Sequence, residues 1–237
     1  MSENWLLCDF HIHTAFSDGA LSLEDTIELY AENGFDVICI TDHVLNEAEL
    51  WDSWPQDQHP GVLLKAYYED YIAALKVAAK KAWEKHELIV IPGIELTNNT
   101  QGFHLLGVGV ESYMNPGLPI EVLAAEIHKQ GGIAVAAHPL RGYLEGTNEL
   151  MYLWNHREQF KHMIDAWEIG NRNELYHLVG SENLNYVASS DFHDPQHLYS
   201  WKTLLKSAKE IDAIKAAVRK NHSVAICLFR GQEERVK

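Results

Sequence analysis

Short apolar runs alternate with longer segments whose apolar residues recur every three to four positions along nearly the whole chain. The runs predict strands over residues 5–8, 37–40, 88–91, 103–110, 133–137, 164–169 and 186–188, with 224–229 as a last run able to close the sheet. The periodic segments predict helices over residues 23–33, 67–86, 120–129, 149–160 and 207–220. The first helix carries its own punctuation: Ser22 as N-cap, Glu24 and Asp25 in the opening turn, and Gly34 as the stop. In the second, Tyr71, Leu75, Ala78, Ala79 and Ala82 share one face. Strand–helix alternation of this kind predicts an α/β fold with a mainly parallel sheet. About seven strands are followed by a crossover, which favours a distorted seven-stranded (β/α)7 barrel over an open doubly wound sheet. With no linker, repeat or low-complexity tract, residues 1–237 read as a single domain.

Composition narrows the setting. At 46% apolar residues the chain can bury an ordinary globular core, and no run approaches the roughly 20 apolar residues of a membrane span. The N-terminus lacks a basic, apolar leader, so a cytoplasmic location is expected. Cys8, Cys39 and Cys227 each sit in an apolar run without CxxC spacing, which suits reduced core thiols. A formal charge of -15 argues against gripping long nucleic acid through phosphate contacts, which requires a basic face. It leaves room for phosphate chemistry at a site whose bound cations invert the local field.

In a parallel α/β fold, residues just past the carboxyl ends of strands converge on a ligand. Those positions hold Asp9-Phe10-His11-Ile12-His13, Ser17-Asp18-Gly19, Thr41-Asp42-His43, Gly93-Ile94-Glu95, His138-Pro139 and Ser189-Ser190-Asp191-Phe192-His193, with His104 opening the 103–110 run. One HxH pair is weak evidence, because the 14 His of this chain produce about one such pair by chance. Its weight comes from recurrence. Imidazoles and carboxylates are natural mixed ligands for Zn, Mn or Fe, and they occupy nearly every predicted strand end. A spacing of two on extended backbone also puts His11 and His13 on one side. The remaining histidines, His59, His86, His128, His156, His162, His177, His197 and His222, read as ordinary surface or hydrogen-bonded groups.

The ordered set HxH, SDG, TDH, GIE, a strand His, AHP and SDFH resembles the polymerase and histidinol phosphatase (PHP) superfamily of metal-dependent phosphoesterases, and runs from Asp9 to His193. The further runs Trp5-Leu6-Leu7-Cys8-Asp9-Phe10, Asn98-Asn99-Thr100, Asp165-Ala166-Trp167-Glu168-Ile169 and 199–205 look like a small stand-alone branch of it. That resemblance implies a distorted seven-stranded barrel of the PHP type holding up to three ions. His11, His13, Glu95 and Asp191 would hold one ion. Glu95 would bridge to a second that also takes His104 and His138, and Asp18, His43 and His193 would hold the third. Asp42 is expected to orient a neighbouring imidazole.

Such a cluster, with about two to three divalent ions (Zn, Mn or Fe), lowers the pKa of a bound water to about 7 and neutralises phosphoryl oxygens. The expected reaction is hydrolysis of a phosphate mono- or diester by a metal-bound hydroxide, without a phosphoenzyme. Glu95 and Asp191 are the central catalytic carboxylates. Arg141 is the favoured phosphate-gripping cation, ahead of Arg172 and Lys202. Trp51 and Trp54 are candidates to roof the pocket. The expected substrate is a small phosphorylated compound, such as a nucleotide or the end of a short oligonucleotide, with no membrane partner. Two other functions compete: a metal-dependent amidohydrolase or deacetylase, because the same ions attack a carbonyl, and a non-catalytic metal-binding module.

Overall fold

The computed structural model describes residues 4–45, 61–147 and 149–231. The strands are β1 (Asn4–Ile12), β2 (Val37–Ile40), β3 (His43–Leu45), β4 (Ile89–Asn98), β5 (Phe103–Val108), β6 (Ile133–Ala136), β7 (Ala166–Asn171), β8 (Glu174–Leu175), β9 (Tyr186–Ser189), β10 (Trp201–Ser207) and β11 (Val224–Leu228). The helices are α1 (Leu23–Glu32), α2 (Tyr68–His86), α3 (Ile120–Lys129), α4 (Arg141–Glu145), α5 (Tyr152–Asn155), α6 (Arg157–Phe160), α7 (His177–Ser181) and α8 (Ile211–Lys220). Among the described residues, no helix is long and apolar enough to cross a membrane.

One sheet of eleven strands runs in the order β11-β10-β1-β2-β4-β5-β6-β7-β8, with β3 on β4 and β9 on β7. It curls until the residues after β9 meet the end of β1: His13 N–H donates to Phe192 O (2.8 Å) and Phe192 N–H to His11 O (3.1 Å). The α/β expectation holds, but the regular seven-strand (β/α)7 repeat does not describe this sheet. β5 runs antiparallel to both β4 and β6, and β10 and β11 extend the β1 edge as antiparallel strands. For β4 and β5 the cause is a short connection: residues 99–102 join them by a turn, and a parallel crossover needs a dozen residues or more.

Period-two alternation sorts the core into two sides. Val37 and Cys39 of β2, Ile89 and Ile91 of β4, Leu106 and Val108 of β5, and Ile133 and Val135 of β6 pack inside the curl, with Ile214 and Val218 of α8 joining them. Ile38, Ile40, Val90, Leu105, Ala134 and Ala136 face outward beneath α1, α2 and α3. Continued along β4 and β5, the inner phase delivers Glu95 and His104 to the inside. On β1 the pairing with β2 shifts between Asp9 and Ile12, and the alternation changes phase there: Cys8 and Phe10 point inward, Ile12 outward. That irregularity is what turns His11 into the interior.

Several boundaries differ from expectation. The predicted 149–160 helix is two short turns, α5 and α6, interrupted at His156. The predicted helix from 207 begins only at Ile211, because residues 201–207 belong to β10. In β10 the strand pattern is disguised by Lys202, which is fully buried. Cys8 and Cys39 are buried free thiols as expected, whereas Cys227 is only half-buried.

Candidate metal centre

Every expected ligand reaches one rim. His11 is the penultimate residue of β1 and His13 follows the strand. His43 opens β3, Glu95 lies within β4 rather than past its end, and His104 is the second residue of β5. His138 follows β6, and Asp191 and His193 follow β9. His104 joins from the start of its strand because β5 is antiparallel, so its N-terminal end shares the rim with the carboxyl ends of the others. Asp18 arrives on a tight loop: Ser17 and Gly19 N–H both donate to Thr14 O (3.0 Å each). A β-carbon on Gly19 would lie 2.5 Å from His13 O, so only glycine lets this loop seat on the strand end.

Glu95 is the hub. Its Oε2 is 3.2 Å from His11 Nε2 and 3.3 Å from His13 Nε2, and its Oε1 is 2.8 Å from His104 Nδ1 and 3.4 Å from His138 Nε2. Asp191 Oδ1 sits 3.5 Å from His11 Nε2, 3.4 Å from His13 Nε2 and 3.4 Å from His193 Nδ1. Asp18 Oδ2 is 3.3 Å from His193 Nε2 and 3.8 Å from His43 Nε2. Among the described residues, three groups have donor atoms mutually within 4.8 Å: His11, His13 and Glu95; His43, Glu95 and His104; and His13, Asp18, His43 and His193. The last two differ from the expected partition, since His13 and His43 each belong to two groups.

Burial opposes charge here, and the mixed signs resolve the conflict. Burial pushes Glu95 up, yet the imidazoles of His43, His11 and His104 hold it well below the usual carboxylate range. Asp191 is likewise held down by His11, His13, His138 and His193 against its burial. Burial pushes His43 down, but Glu95 and Asp18 raise it to about 9. For His104 burial prevails and leaves it at about 4.

Polar atoms inside the cluster are left without hydrogen bonds among the described residues: His11 Nε2, both ring nitrogens of His13 and Glu95 Oε2. Glu95 Oε2 is only 2.8 Å from His43 Nδ1, but the hydrogen bond of that nitrogen is to Thr97 Oγ1 (2.8 Å). Each such orphan costs about 1–3 kcal/mol, and several lone pairs aimed at one space are what divalent cations require. The residues present therefore fit metal ions. His138 and Asp191 also adopt left-handed backbone, at φ 29° and 50°, a conformation that non-glycine residues hold only under constraint.

Three residues play parts that differ from expectation, and a fourth went unassigned. Glu168, fully buried, accepts from His11 Nδ1 (3.0 Å), His138 N–H (2.7 Å) and Asn171 Nδ2 (2.7 Å). It orients His11 so that Nε2 faces the cluster, the role expected of Asp42. Asp42 instead accepts from Thr14 N–H (2.8 Å), Thr14 Oγ1 (2.9 Å) and Ser17 Oγ (2.7 Å), fastening the loop that carries Asp18. Lys202 is no rim cation: it is fully buried, 3.2 Å from Asp9 Oδ2. His197, read as an ordinary histidine, accepts through Nδ1 from the N–H of His193 (3.1 Å). Arg141 and Arg172 do reach the site, with guanidinium nitrogens 3.7 and 3.2 Å from Asp191 Oδ2. Trp51, Trp54 and His59 lie outside the described residues. His86, His128 and His156 bond to Glu28, Asp165 and the Tyr152 carbonyl, away from the cluster.

Curled α/β sheet and buried imidazole–carboxylate cluster together form a candidate centre fitted to divalent metal ions. The chain belongs to the PHP family, whose domain model matches residues 9–205. Among solved structures it is similar to a two-domain protein from Bacteroides vulgatus containing a predicted PHP-like metal-dependent phosphoesterase, at TM-score 0.71 and 19% identity. That alignment covers 96% of this chain and 66% of the other, so this chain spans just under two-thirds of that protein. It is also similar to PsfC from Pseudomonas syringae (TM-score 0.60, 16% identity, 96% and 92% covered). A third is an amidohydrolase from Chromobacterium violaceum with bound sulfate (TM-score 0.52, 16% identity, 79% and 88% covered). Comparison with curated protein sequences gives no significant match.

Proposed function

We propose that this protein hydrolyses a phosphate mono- or diester of a small phosphorylated compound, such as a nucleotide or the end of a short oligonucleotide. The observation that carries the reading is the pairing of a metal-fitting cluster with two guanidinium groups. Arg141 and Arg172 both approach Asp191 Oδ2, on one side of the donor set. A carbonyl substrate asks for one polarised oxygen, whereas a phosphate ester brings charged equatorial oxygens that planar guanidinium forks match.

His11, His13, Glu95, Asp191, His104, His138, Asp18, His43 and His193 would hold two to three divalent ions, Zn, Mn or Fe. When bound, such ions supply a water activated at neutral pH and compensate charge on the ester oxygens. The chain's own residues do the rest. Glu168 fixes the ring of His11, Asp42 fixes the Asp18 loop, and His197 fixes the backbone that presents His193. Arg141 and Arg172 bind and orient the ester phosphate. Burial of Glu95 and of both rings of the HxH pair excludes bulk water from the floor of the site.

An amidohydrolase or deacetylase is the second reading, and the Chromobacterium violaceum structure carries that name. Protein reconstituted with Mn or Zn and assayed on an aryl phosphate, a cyclic nucleotide and an N-acetylated substrate separates the two. Turnover of a phosphate ester is expected. Turnover of the N-acetyl compound alone would overturn the proposal.

A further inference from the structure

Beneath the donor cluster lies a second buried ionic group with no part in the scheme above. Asp9 and Lys202 are both fully buried, with Oδ2 and Nζ 3.2 Å apart. The same carboxylate accepts from Tyr30 OH (2.8 Å), Ser190 Oγ (2.6 Å) and the Ser190 N–H (3.0 Å). Lys202 Nζ donates in turn to Ser200 Oγ (2.6 Å). Side chains from β1, α1 and β10, together with the segment after β9, thus meet on one carboxylate. A buried ion pair is weak evidence of stability, because apolar or neutral groups of similar size hold a fold as well or better. The position of this one points elsewhere.

Asp9 stands two residues before His11 on β1. Ser190 directly precedes Asp191, whose left-handed φ of 50° persists only if its surroundings fix it. Ser190 Oγ also lies 3.3 Å from His11 O, so the hydroxyl spans the two ligand-bearing segments. Among the described residues, the backbone of these segments is otherwise joined through Phe192, to His11 and His13. Asp9 therefore grips both the peptide N–H and the side chain of the residue that launches Asp191 into the cluster.

We infer that Asp9, with Lys202 as its counter-ion, is a positioning device for the metal centre. It clamps Ser190, through its N–H and its hydroxyl, to β1 and so sets Asp191 and His11 as donors relative to each other, their facing atoms 3.5 Å apart. Lys202 supplies the counter-charge to that buried carboxylate and, being fully buried, does so without touching substrate. The inference rests on the metal-centre reading and is independent of which ester, or amide, is cleaved.

The test uses the full chain as the Asp9→Asn/Lys202→Met double variant, which neutralises the pair without stranding either charge, and as Ser190→Ala, which removes only the spanning hydroxyl. Thermal unfolding in EDTA reads the fold, and titration of Mn2+ into the EDTA-treated, dialysed protein reads the centre. The expected result is a double variant that melts close to wild type in EDTA yet binds Mn2+ at least tenfold more weakly. Ser190→Ala should shift in the same direction by a smaller factor. Wild-type Mn2+ affinity in the double variant overturns the inference, since a purely structural pair leaves the centre intact. If the double variant does not fold, Ser190→Ala decides: weakened Mn2+ binding with an unchanged apo melt supports the inference, and unchanged binding overturns it. A wild-type protein that takes up no Mn2+ sinks the metal-centre reading itself, and is distinguished because it involves no variant.

Discussion

Replacing Glu168 by Gln keeps the volume of a buried side chain and removes its charge. The carboxylate accepts three hydrogen bonds at once, from His11 Nδ1, His138 N–H and Asn171 Nδ2. An amide offers one acceptor oxygen and one group that only donates. If the oxygen stays with His138 and Asn171, the amide NH2 faces His11 Nδ1 and makes it an acceptor. The ring proton then moves to Nε2, the atom that faces Glu95 and Asp191, and that nitrogen can no longer ligate. If the amide flips, its NH2 meets two donors and strands the N–H of His138, at a cost of about 1–3 kcal/mol. Either way an ion loses a donor or its support. Removing the partner behind a ligating imidazole typically lowers metal affinity 10–100-fold, or about 1.4–2.8 kcal/mol. One effect opposes this. Burial pushes His11 down, but Glu95, Glu168 and Asp191 raise its proton affinity well above the ordinary value, so losing Glu168 eases competition from protons and places the outcome toward the smaller figure. Titration calorimetry of Zn2+ into EDTA-treated wild type and Glu168→Gln at pH 7 measures the difference. Affinity within twofold of wild type would refute the assignment of Glu168 as the group that orients His11.

The same geometry makes further predictions. Glu95→Gln should lower activity by a factor of at least about 100, whereas His197→Gln, which loses one hydrogen bond to backbone, should cost about two- to tenfold in kcat/KM; equal losses would mean that the rim is wrongly placed. Arg141→Ala should reduce kcat/KM on a phosphate ester by roughly 10–100-fold, the worth of a charged hydrogen bond, while leaving ion stoichiometry unchanged. Ion binding should release protons at pH 7, because His43 in the metal-free protein is raised to about 9 and must give up its proton to ligate. Affinity should therefore climb between pH 7 and 9, read from calorimetry in buffers of different ionisation enthalpy; no net release contradicts the assignment. The contribution of His43 to metal-free stability has the opposite sign, since its folded pKa lies above the unfolded value. That contribution is complete below about 6.5 and is lost as the pH rises through about 9.

Much of the site was legible because its chemistry repeats at the same structural position. His11, His13, His43, His138, Asp191 and His193 follow or close apolar runs that strand patterning identifies, and their convergence requires only that the sheet be curled. His104 was legible as a residue, although its reason was not: it reaches the rim because β5 runs backwards, which the short 99–102 connection alone signals. Glu168 was missed, yet a signal existed. A lone carboxylate inside the apolar run Ala166-Trp167-Glu168-Ile169 on an inward phase has to be paired in the folded protein. Lys202 misled in two ways, reading as a surface cation and breaking the pattern of β10. Only the pairing of β1 with β10 shows that Asp9 awaits it inside. The partition of donors among ions depends on ring orientation by fractions of an ångström, which no spacing in the chain encodes.

Metal content tests the centre most directly. Protein purified at neutral pH, reconstituted with Mn or Zn and freed of excess ion should carry two to three divalent ions per chain by elemental analysis, and fewer when Glu95 is replaced by Gln. A protein that retains none contradicts the assignment of His11, His13, Glu95 and Asp191 as the core of a metal centre.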